Sequence, residues 1–180
     1  MGNQDQSIFQ RTRELAQQNP NLPLTWENVI TLSAEFRSDE ASRRGFEQTM
    51  EQIQSTRTGQ QLLRDILLHR DQPMVMQLSD TMQIGSQAVY DSFSHSVTVS
   101  PDFFTREDFS RGIGIERDQY FVHELGHAAT APKFMYLGSG MTTMQDFLFI
   151  GAREEQKAEQ VATKYKEELG FQSRNYTGDY

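Results

Sequence analysis

The segment between residues 121 and 129 places the strongest constraint on how this chain can fold. It reads Phe121-Val122-His123-Glu124-Leu125-Gly126-His127-Ala128-Ala129. The apolar residues in it predict a largely buried helix. Two histidines four residues apart lie on one face of such a helix, with Cβ atoms about 5–6 Å apart, which allows both imidazoles to bind one metal ion. The alternative is a solvated helix with two surface histidines.

The residues between the two histidines support the metal-site interpretation. Glu124 is expected beside the pair, where a carboxylate can take a proton from a water molecule that the metal activates. Leu125 is expected to face the core. Gly126 costs about 1 kcal/mol of helix propensity, which indicates that another element packs closely against it.

The absence of cysteine limits the chemistry of the site. Without thiols, disulfides and thiolate metal ligands are excluded, and a metal must bind histidine and carboxylate. A catalytic zinc ion takes three protein ligands and a water molecule. A third histidine six residues after His127 is excluded, because that position is Lys133.

A following helix supplies the third ligand in this interpretation, from Glu154-Glu155-Gln156-Lys157-Ala158-Glu159. We favour Glu155 over Glu154 as the ligand, because Glu159 stands four residues after Glu155 and could orient a ligand histidine. The alternative is an acidic pair that only suits a helix N-terminus.

Other polar residues are candidates for supporting roles. Peptide hydrolysis at such a site benefits from a hydrogen-bond donor to the developing oxyanion, and Tyr165, Arg174 and Tyr176 are the candidates. His95 lies in a predicted turn and is expected to be exposed. His69 is expected at the C-terminal end of a helix, where the dipole favours a cation.

Length and charge exclude several classes of function. A chain of 180 residues suits one domain and can bury a core without disulfides. The net charge of -8, without a dense Lys/Arg stripe, argues against nucleic-acid binding. No apolar run approaches the roughly 20 residues that a membrane span needs. The N-terminus lacks the basic and apolar regions of a conventional secretion signal.

Local patterns predict an α+β fold, with a small sheet packed on the metal-binding helix and a helical region before it. In the first part, residues 1 to about 58 are expected to be helical. Ile8, Leu15 and Phe9 mark one amphipathic face, Pro20 and Pro23 break the helix, and Thr25 starts a second helix with Trp26 in the core. A third helix is expected from about Asp39 to Ile53.

The second part alternates strand and helix signals. A break is predicted at Thr58-Gly59, followed by a helix over Gln60–His69 and a strand over Pro73–Leu78. A hairpin is predicted from Gln87–Tyr90 and Ser96–Ser100. Two helices follow: one from Ile115 to about Thr130, and a long one that starts between Met144 and Gly151 and runs to Leu169, with Gly170 as C-cap.

These residues together resemble the small zinc metallopeptidase domains of bacterial effectors and polymorphic toxins, including type III effector peptidases. The resemblance covers about residues 55 to 176. It rests on Thr58-Gly59-Gln60-Gln61-Leu62-Leu63, Ala88-Val89-Tyr90, His123-Glu124-Leu125-Gly126-His127-Ala128, Arg153-Glu154-Glu155, Tyr165-Lys166-Glu167-Glu168-Leu169-Gly170, Arg174 and Tyr176.

The resemblance implies a minimal zincin-like domain over residues 55–180, with one zinc ion held by His123, His127 and a glutamate of the 154–155 pair. Residues 1–54 have no counterpart in it and are interpreted as a delivery or docking segment. It further implies a toxin that is secreted without a conventional signal peptide and cleaves a protein in the cytoplasm of a target cell. A secretion-system component or a cognate immunity protein would then be a further partner.

Three other functions stay open on the sequence alone. The chain could be a housekeeping metallopeptidase of the producer's cytosol, a binding module that keeps zinc for structure, or an amidase acting on cell-wall peptides. Glu124 argues against the binding module, because a structural zinc site has no use for a base.

Overall fold

The computed structural model describes residues 3–80, 88–105, 116–130 and 144–170. Six helices and four strands lie within these ranges, which confirms the predicted α+β class. The helices are α1 (Asn3–Gln18), α2 (Ala34–Ser38), α3 (Glu40–Gln54), α4 (Arg57–His69), α5 (Arg117–Thr130) and α6 (Met144–Glu168), and the strands are β1 (Ile30–Leu32), β2 (Met74–Leu78), β3 (Ala88–Asp91) and β4 (Ser96–Val99). None of these helices has the length and apolarity needed to cross a membrane.

The four strands form one mixed sheet in the order β1-β2-β4-β3. The strand pairs β1–β2 and β2–β4 are parallel, whereas β3 and β4 form an antiparallel hairpin in which Ala88 lies opposite Val99 and Asp91 opposite Ser96. The predicted hairpin and the predicted strand before it are therefore confirmed. The sheet packs on α5 through β3 and β4, so that β3 is the edge strand nearest to the two histidines of α5.

The strand β1 was not predicted. The interpretation of residues 1 to about 58 as helical is therefore wrong for Ile30–Leu32. Thr25 does start a helical turn, but that turn is a 3₁₀ helix of only three residues, Trp26–Asn28. The next residues, Val29 and Ile30, are β-branched and fully buried, and β1 pairs with β2 across the chain. Pairing with β2 thus decides the conformation of a run that is too short for its own periodicity to predict a strand.

The hydrophobic core is centred on a group of aromatic rings. Phe46 makes edge-on contacts with Trp26, Phe36, Phe104 and Phe121, at ring-centroid distances of 5.0 to 6.0 Å. Trp26 packs against this core as predicted. The rings come from both sides of the boundary predicted between residues 54 and 55. That boundary stays a prediction, and the two parts share one sheet and one core in the described ranges.

Of the predicted inward face of α1, only Phe9 is buried. Phe9 and Ala16 are buried, whereas about half of Ile8 and Leu15 is exposed, so that the assignment of Ile8 and Leu15 to the inward face is wrong. The side chain of Arg64 on α4 donates to the carbonyl of Ala16 at 2.8 Å. This contact ties the end of α1 to α4.

The break predicted at Thr58-Gly59 is also wrong, by about three residues. The interruption falls at Ser55 and Thr56, and the hydroxyl of Thr56 accepts the N–H of Gly59 at 2.9 Å as the N-cap of α4. Gly59 belongs inside the helix for a packing reason. A Cβ at this position would lie 1.8 Å from the carbonyl oxygen of Ile53.

The two long helices of the second part follow the predicted boundaries to within two residues. Arg117 and Thr130 bound α5, with Leu125 fully buried as expected. The helix α6 ends at Glu168, and Gly170 has the left-handed conformation (φ 82°) that a glycine after a helix commonly adopts. His69 is the last residue of α4, as predicted.

We predict that Phe46→Ala lowers the free energy of unfolding by about 3–5 kcal/mol, because it removes the ring at the centre of the aromatic core. Denaturant unfolding measures this loss. The matched control is Phe93→Ala at the tip of the hairpin, where the side chain is 85% exposed and the expected change is within about 0.5 kcal/mol. Equal effects of the two substitutions would contradict this account of the core.

Candidate metal centre

Three side chains from two helices converge on one point. Nε2 of His123 and Nε2 of His127 on α5 are 3.1 Å apart. The carboxylate of Glu155 on α6 approaches both, with Oε2 at 3.3 Å from His123 Nε2 and Oε1 at 3.4 Å from His127 Nε2. One ligand atom from each of the three lies within 4.8 Å of the other two. The group could therefore hold a metal ion.

The convergence requires α5 and α6 to approach closely, and the smallest side chains at their crossing permit it. A Cβ built on Gly126 would lie 3.0 Å from Cα of Ala158 and 3.3 Å from its Cβ. Gly126 is fully covered, which confirms that another element packs closely against it. Glu155 precedes Ala158 by almost one helical turn, so it emerges beside the histidines next to this contact.

Polar contacts tie the far end of α6 to α5 and to α4. The carboxylate of Glu168 accepts the N–H groups of Arg57 and Thr58 at the start of α4, the latter at 2.8 Å. The hydroxyl of Tyr165 donates to Asp118 in the first turn of α5 at 3.0 Å. These contacts fix the direction of α6 and thus the position of Glu155.

The other two acidic residues of the predicted ligand segment have different surroundings. Glu159 Oε2 lies 3.5 Å from Nδ1 of His123, the ring nitrogen that does not face Glu155. Glu154 pairs with Lys157 at 2.9 Å. The structure thus brings Glu155 to both histidines and Glu159 to the outer side of one of them, while Glu154 is engaged with a lysine.

Glu124 follows His123 on α5, and its carboxylate lies against the edge strand β3. Its side chain is only 8% exposed, and its Oε2 accepts the backbone N–H of Tyr90 at 2.9 Å. Burial raises the pKa of Glu124 to about 7, although the N–H of Tyr90 opposes this shift. Burial also lowers the pKa of His127, which favours the neutral imidazole that a metal binds.

A polar network behind Glu124 was not predicted. The hydroxyl of Tyr90 lies 2.9 Å from Nδ1 of His95 and accepts from Nη2 of Arg70 at 3.3 Å. His95 is 1% exposed, so its predicted exposure is wrong. The turn gives His95 a left-handed backbone (φ 51°) that directs the ring inward, onto the ring of Tyr90.

The predicted oxyanion donors do not join the metal centre in the described part of the chain. Tyr165 is buried, and its hydroxyl is committed to Asp118. It also follows Glu155 by ten residues, or about 15 Å along a helix. Arg174 and Tyr176 lie outside the described residues.

Comparison of the chain with protein-family models, curated proteins and solved structures gives no match.

We predict that Gly126→Ala weakens metal binding by about tenfold or more, because the added methyl pushes α6 and Glu155 away from the histidines. Competition between the protein and a chelator for Zn²⁺ measures the dissociation constant. The second change Ala158→Gly should restore part of the affinity, since it removes the Cβ that the new methyl meets at 3.3 Å. Unchanged affinity in Gly126→Ala would contradict the proposed role of the close contact.

A second prediction concerns the stability of the fold against acid. Burial lowers the pKa of His95 to about 4, below about 6.5 in an unfolded chain. Between these values the unfolded state binds the proton and the folded state does not. The contribution of His95 to stability is thus present above about pH 6.5 and is lost as the pH falls towards 4, by at most about 1.4 kcal/mol per pH unit.

Urea unfolding at several pH values tests this, with His95→Asn as the comparison. Asparagine does not titrate in this range and tolerates the left-handed backbone at position 95. The variant should show a smaller loss of unfolding free energy between pH 6.5 and 4 than the wild type. Equal losses would show that His95 is not the group that titrates.

Proposed function

We propose that this protein is a zinc-dependent peptidase that hydrolyses peptide bonds of a protein substrate. The observation that carries the proposal is the convergence of His123, His127 and Glu155 on one point, with the buried carboxylate of Glu124 on the same helix as the histidines. Two histidines and a carboxylate, together with a separate glutamate as base, are the parts that metal-assisted peptide hydrolysis needs.

The spacing of the ligand atoms is compatible with zinc. Metal–ligand bonds of about 2.0–2.2 Å in a tetrahedral arrangement place neighbouring ligand atoms about 3.3–3.6 Å apart. The two imidazole nitrogens are 3.1 Å apart, and each faces a different carboxylate oxygen of Glu155, at 3.3 and 3.4 Å. One ligand atom from each residue lies within 4.8 Å of the other two. The chemistry agrees as well, since neutral imidazole and carboxylate are common zinc ligands.

The number and exposure of the ligands favour a catalytic site over a structural one. Structural zinc sites are usually closed by four protein ligands. Among the described residues, three side chains form the group. Glu155 is 66% exposed, so that the group opens towards solvent on the side of α6. A water molecule and a substrate carbonyl would have access from that side.

Glu124 is the proposed general base. When bound, zinc would polarise the scissile carbonyl and lower the pKa of the attacking water molecule. Glu124 would accept a proton from that water as the oxygen bonds to the carbonyl carbon, and would donate it to the leaving nitrogen as the C–N bond breaks. A carboxyl group whose pKa lies at about 7 suits both transfers near neutral pH.

Glu159 is the proposed orienting group for His123. Its carboxylate lies near Nδ1 while Nε2 faces the metal position. A carboxylate at the second nitrogen fixes the tautomer and the orientation of a metal-binding imidazole.

The biological role that we propose follows the family resemblance. The protein would act as a secreted effector or toxin in the cytoplasm of a target cell, with a cognate immunity protein or a secretion component as partner. Expression of the wild type in a candidate target cell, beside Glu124→Gln at the same level, separates this role from a housekeeping one. Only the effector role predicts toxicity that Glu124→Gln abolishes.

We predict that the wild type binds about one zinc ion per chain and that Glu124→Gln keeps the metal but loses proteolysis by about 10²–10⁴-fold, because the general base is removed. Plasma mass spectrometry measures the metals. Cleavage is measured on labelled casein and on a peptide library read by mass spectrometry. His123→Ala is the control that should lose both the metal and the activity.

Two results would contradict the proposal. Glu124→Gln that cleaves as fast as the wild type would exclude Glu124 as the base. Wild type that takes up no zinc from a metal-buffered solution would exclude the metal site itself. Zinc uptake without cleavage of any probe, in contrast, would favour a module that binds zinc for structure.

A further inference from the structure

The free edge of the strand β3 contacts the proposed base through its main chain. Tyr90 lies opposite Val97 in the antiparallel pair, and its N–H points away from β4, to Glu124 on α5. The hydroxyl of Tyr120 on the same helix donates to the carbonyl of Ala88, one residue pair along that edge, at 3.3 Å. Two hydrogen bonds therefore connect the edge of β3 to α5, and one of them ends on Glu124.

The position of that N–H depends on the side chain of the same residue. The hydroxyl of Tyr90 is held from two directions, by Nδ1 of His95 in the hairpin turn and by Arg70 at the end of α4. His95 and Arg70 are both buried, and the rings of Tyr90 and His95 pack edge-on at 5.9 Å. Neither partner belongs to α5, so the network adds a support for Tyr90 that is separate from the two hydrogen bonds between β3 and α5.

We propose that Tyr90 is a positioning residue for Glu124: its hydroxyl, anchored by Arg70 and His95, holds β3 so that the N–H of Tyr90 fixes the carboxylate of the base. This inference deepens the proposed function and rests on it. The N–H occupies Oε2 and leaves Oε1 to exchange the proton with water and with the leaving nitrogen. Without the anchor, the carboxylate would sample more orientations, and a displacement of about 1 Å is enough to slow a positioned reaction strongly.

The position of Glu124 and the binding of metal should then respond differently to one substitution. Tyr90→Phe keeps the ring and its packing but removes the hydroxyl that binds both anchors. The histidines and Glu155 are untouched, so the dissociation constant for Zn²⁺ should stay within about threefold, whereas kcat at saturating zinc should fall about tenfold. A residue that serves only stability would lower the free energy of unfolding and leave kcat unchanged in the folded protein.

The experiment compares wild type, Tyr90→Phe and Ser94→Ala. Ser94→Ala is the matched control, because it removes a hydroxyl bond to Asp91 in the same turn and leaves the Tyr90 hydroxyl alone. Three quantities are measured in the intact chain: the Zn²⁺ dissociation constant, kcat and KM on labelled casein, and hydrogen exchange of the amide at position 90 by NMR. We expect Tyr90→Phe alone to lower kcat and to speed exchange at position 90 about tenfold.

The exchange measurement needs no catalysis and therefore separates two failures. Glu124→Ala removes the acceptor and should also speed exchange at position 90, and His95→Asn, whose shorter side chain cannot reach the hydroxyl, should act like Tyr90→Phe. Unchanged exchange in all three variants, or unchanged kcat in Tyr90→Phe, would overturn the positioning role. Failure of the proposed function would appear differently, as zinc-loaded wild type that cleaves no probe while the exchange rates still respond.

Discussion

The contact between Gly126 and Ala158 is the constraint on which the rest of the site depends. At this point α5 and α6 approach until a single added methyl group would meet Cα of Ala158 at 3.0 Å. This approach brings the carboxylate of Glu155 on α6 to the imidazoles of His123 and His127 on α5. The helix propensity lost at Gly126, about 1 kcal/mol, is offset by the packing that the missing side chain permits.

At its other end, α6 is held to α5 and to α4 by groups with no part in the proposed chemistry. Glu168 caps α4 through Thr58, and Tyr165 binds Asp118 in the first turn of α5. Thr58, Tyr165 and Glu168 all belong to the segments on which the family resemblance rests. In this structure they connect α6 to α5 and to α4, away from the three side chains that converge.

Strong local signals predicted much of the fold, and weak ones failed where a distant partner decided the outcome. The apolar positions of α5 and the alternation of Val97 and Val99 in β4 predicted a helix and a hairpin that the structure confirms. The strand β1 was missed because three residues carry too little periodicity, and only pairing with β2 makes them a strand. His95 was assigned to the surface because turns are usually exposed, but its left-handed backbone turns the ring inward.

The sequence by itself determined which residues could bind a metal. Two histidines four apart must share a helix face, and without cysteine the remaining ligand must be a carboxylate or another histidine. The tertiary structure decided which carboxylate meets them, and it joined Glu124 to the N–H of Tyr90. The physical reason is the distance along the chain over which each effect acts. Helix geometry relates residues four apart, and the sequence shows it directly. The contacts of α5 with α6 and with β3 depend instead on packing between segments about 30 residues apart.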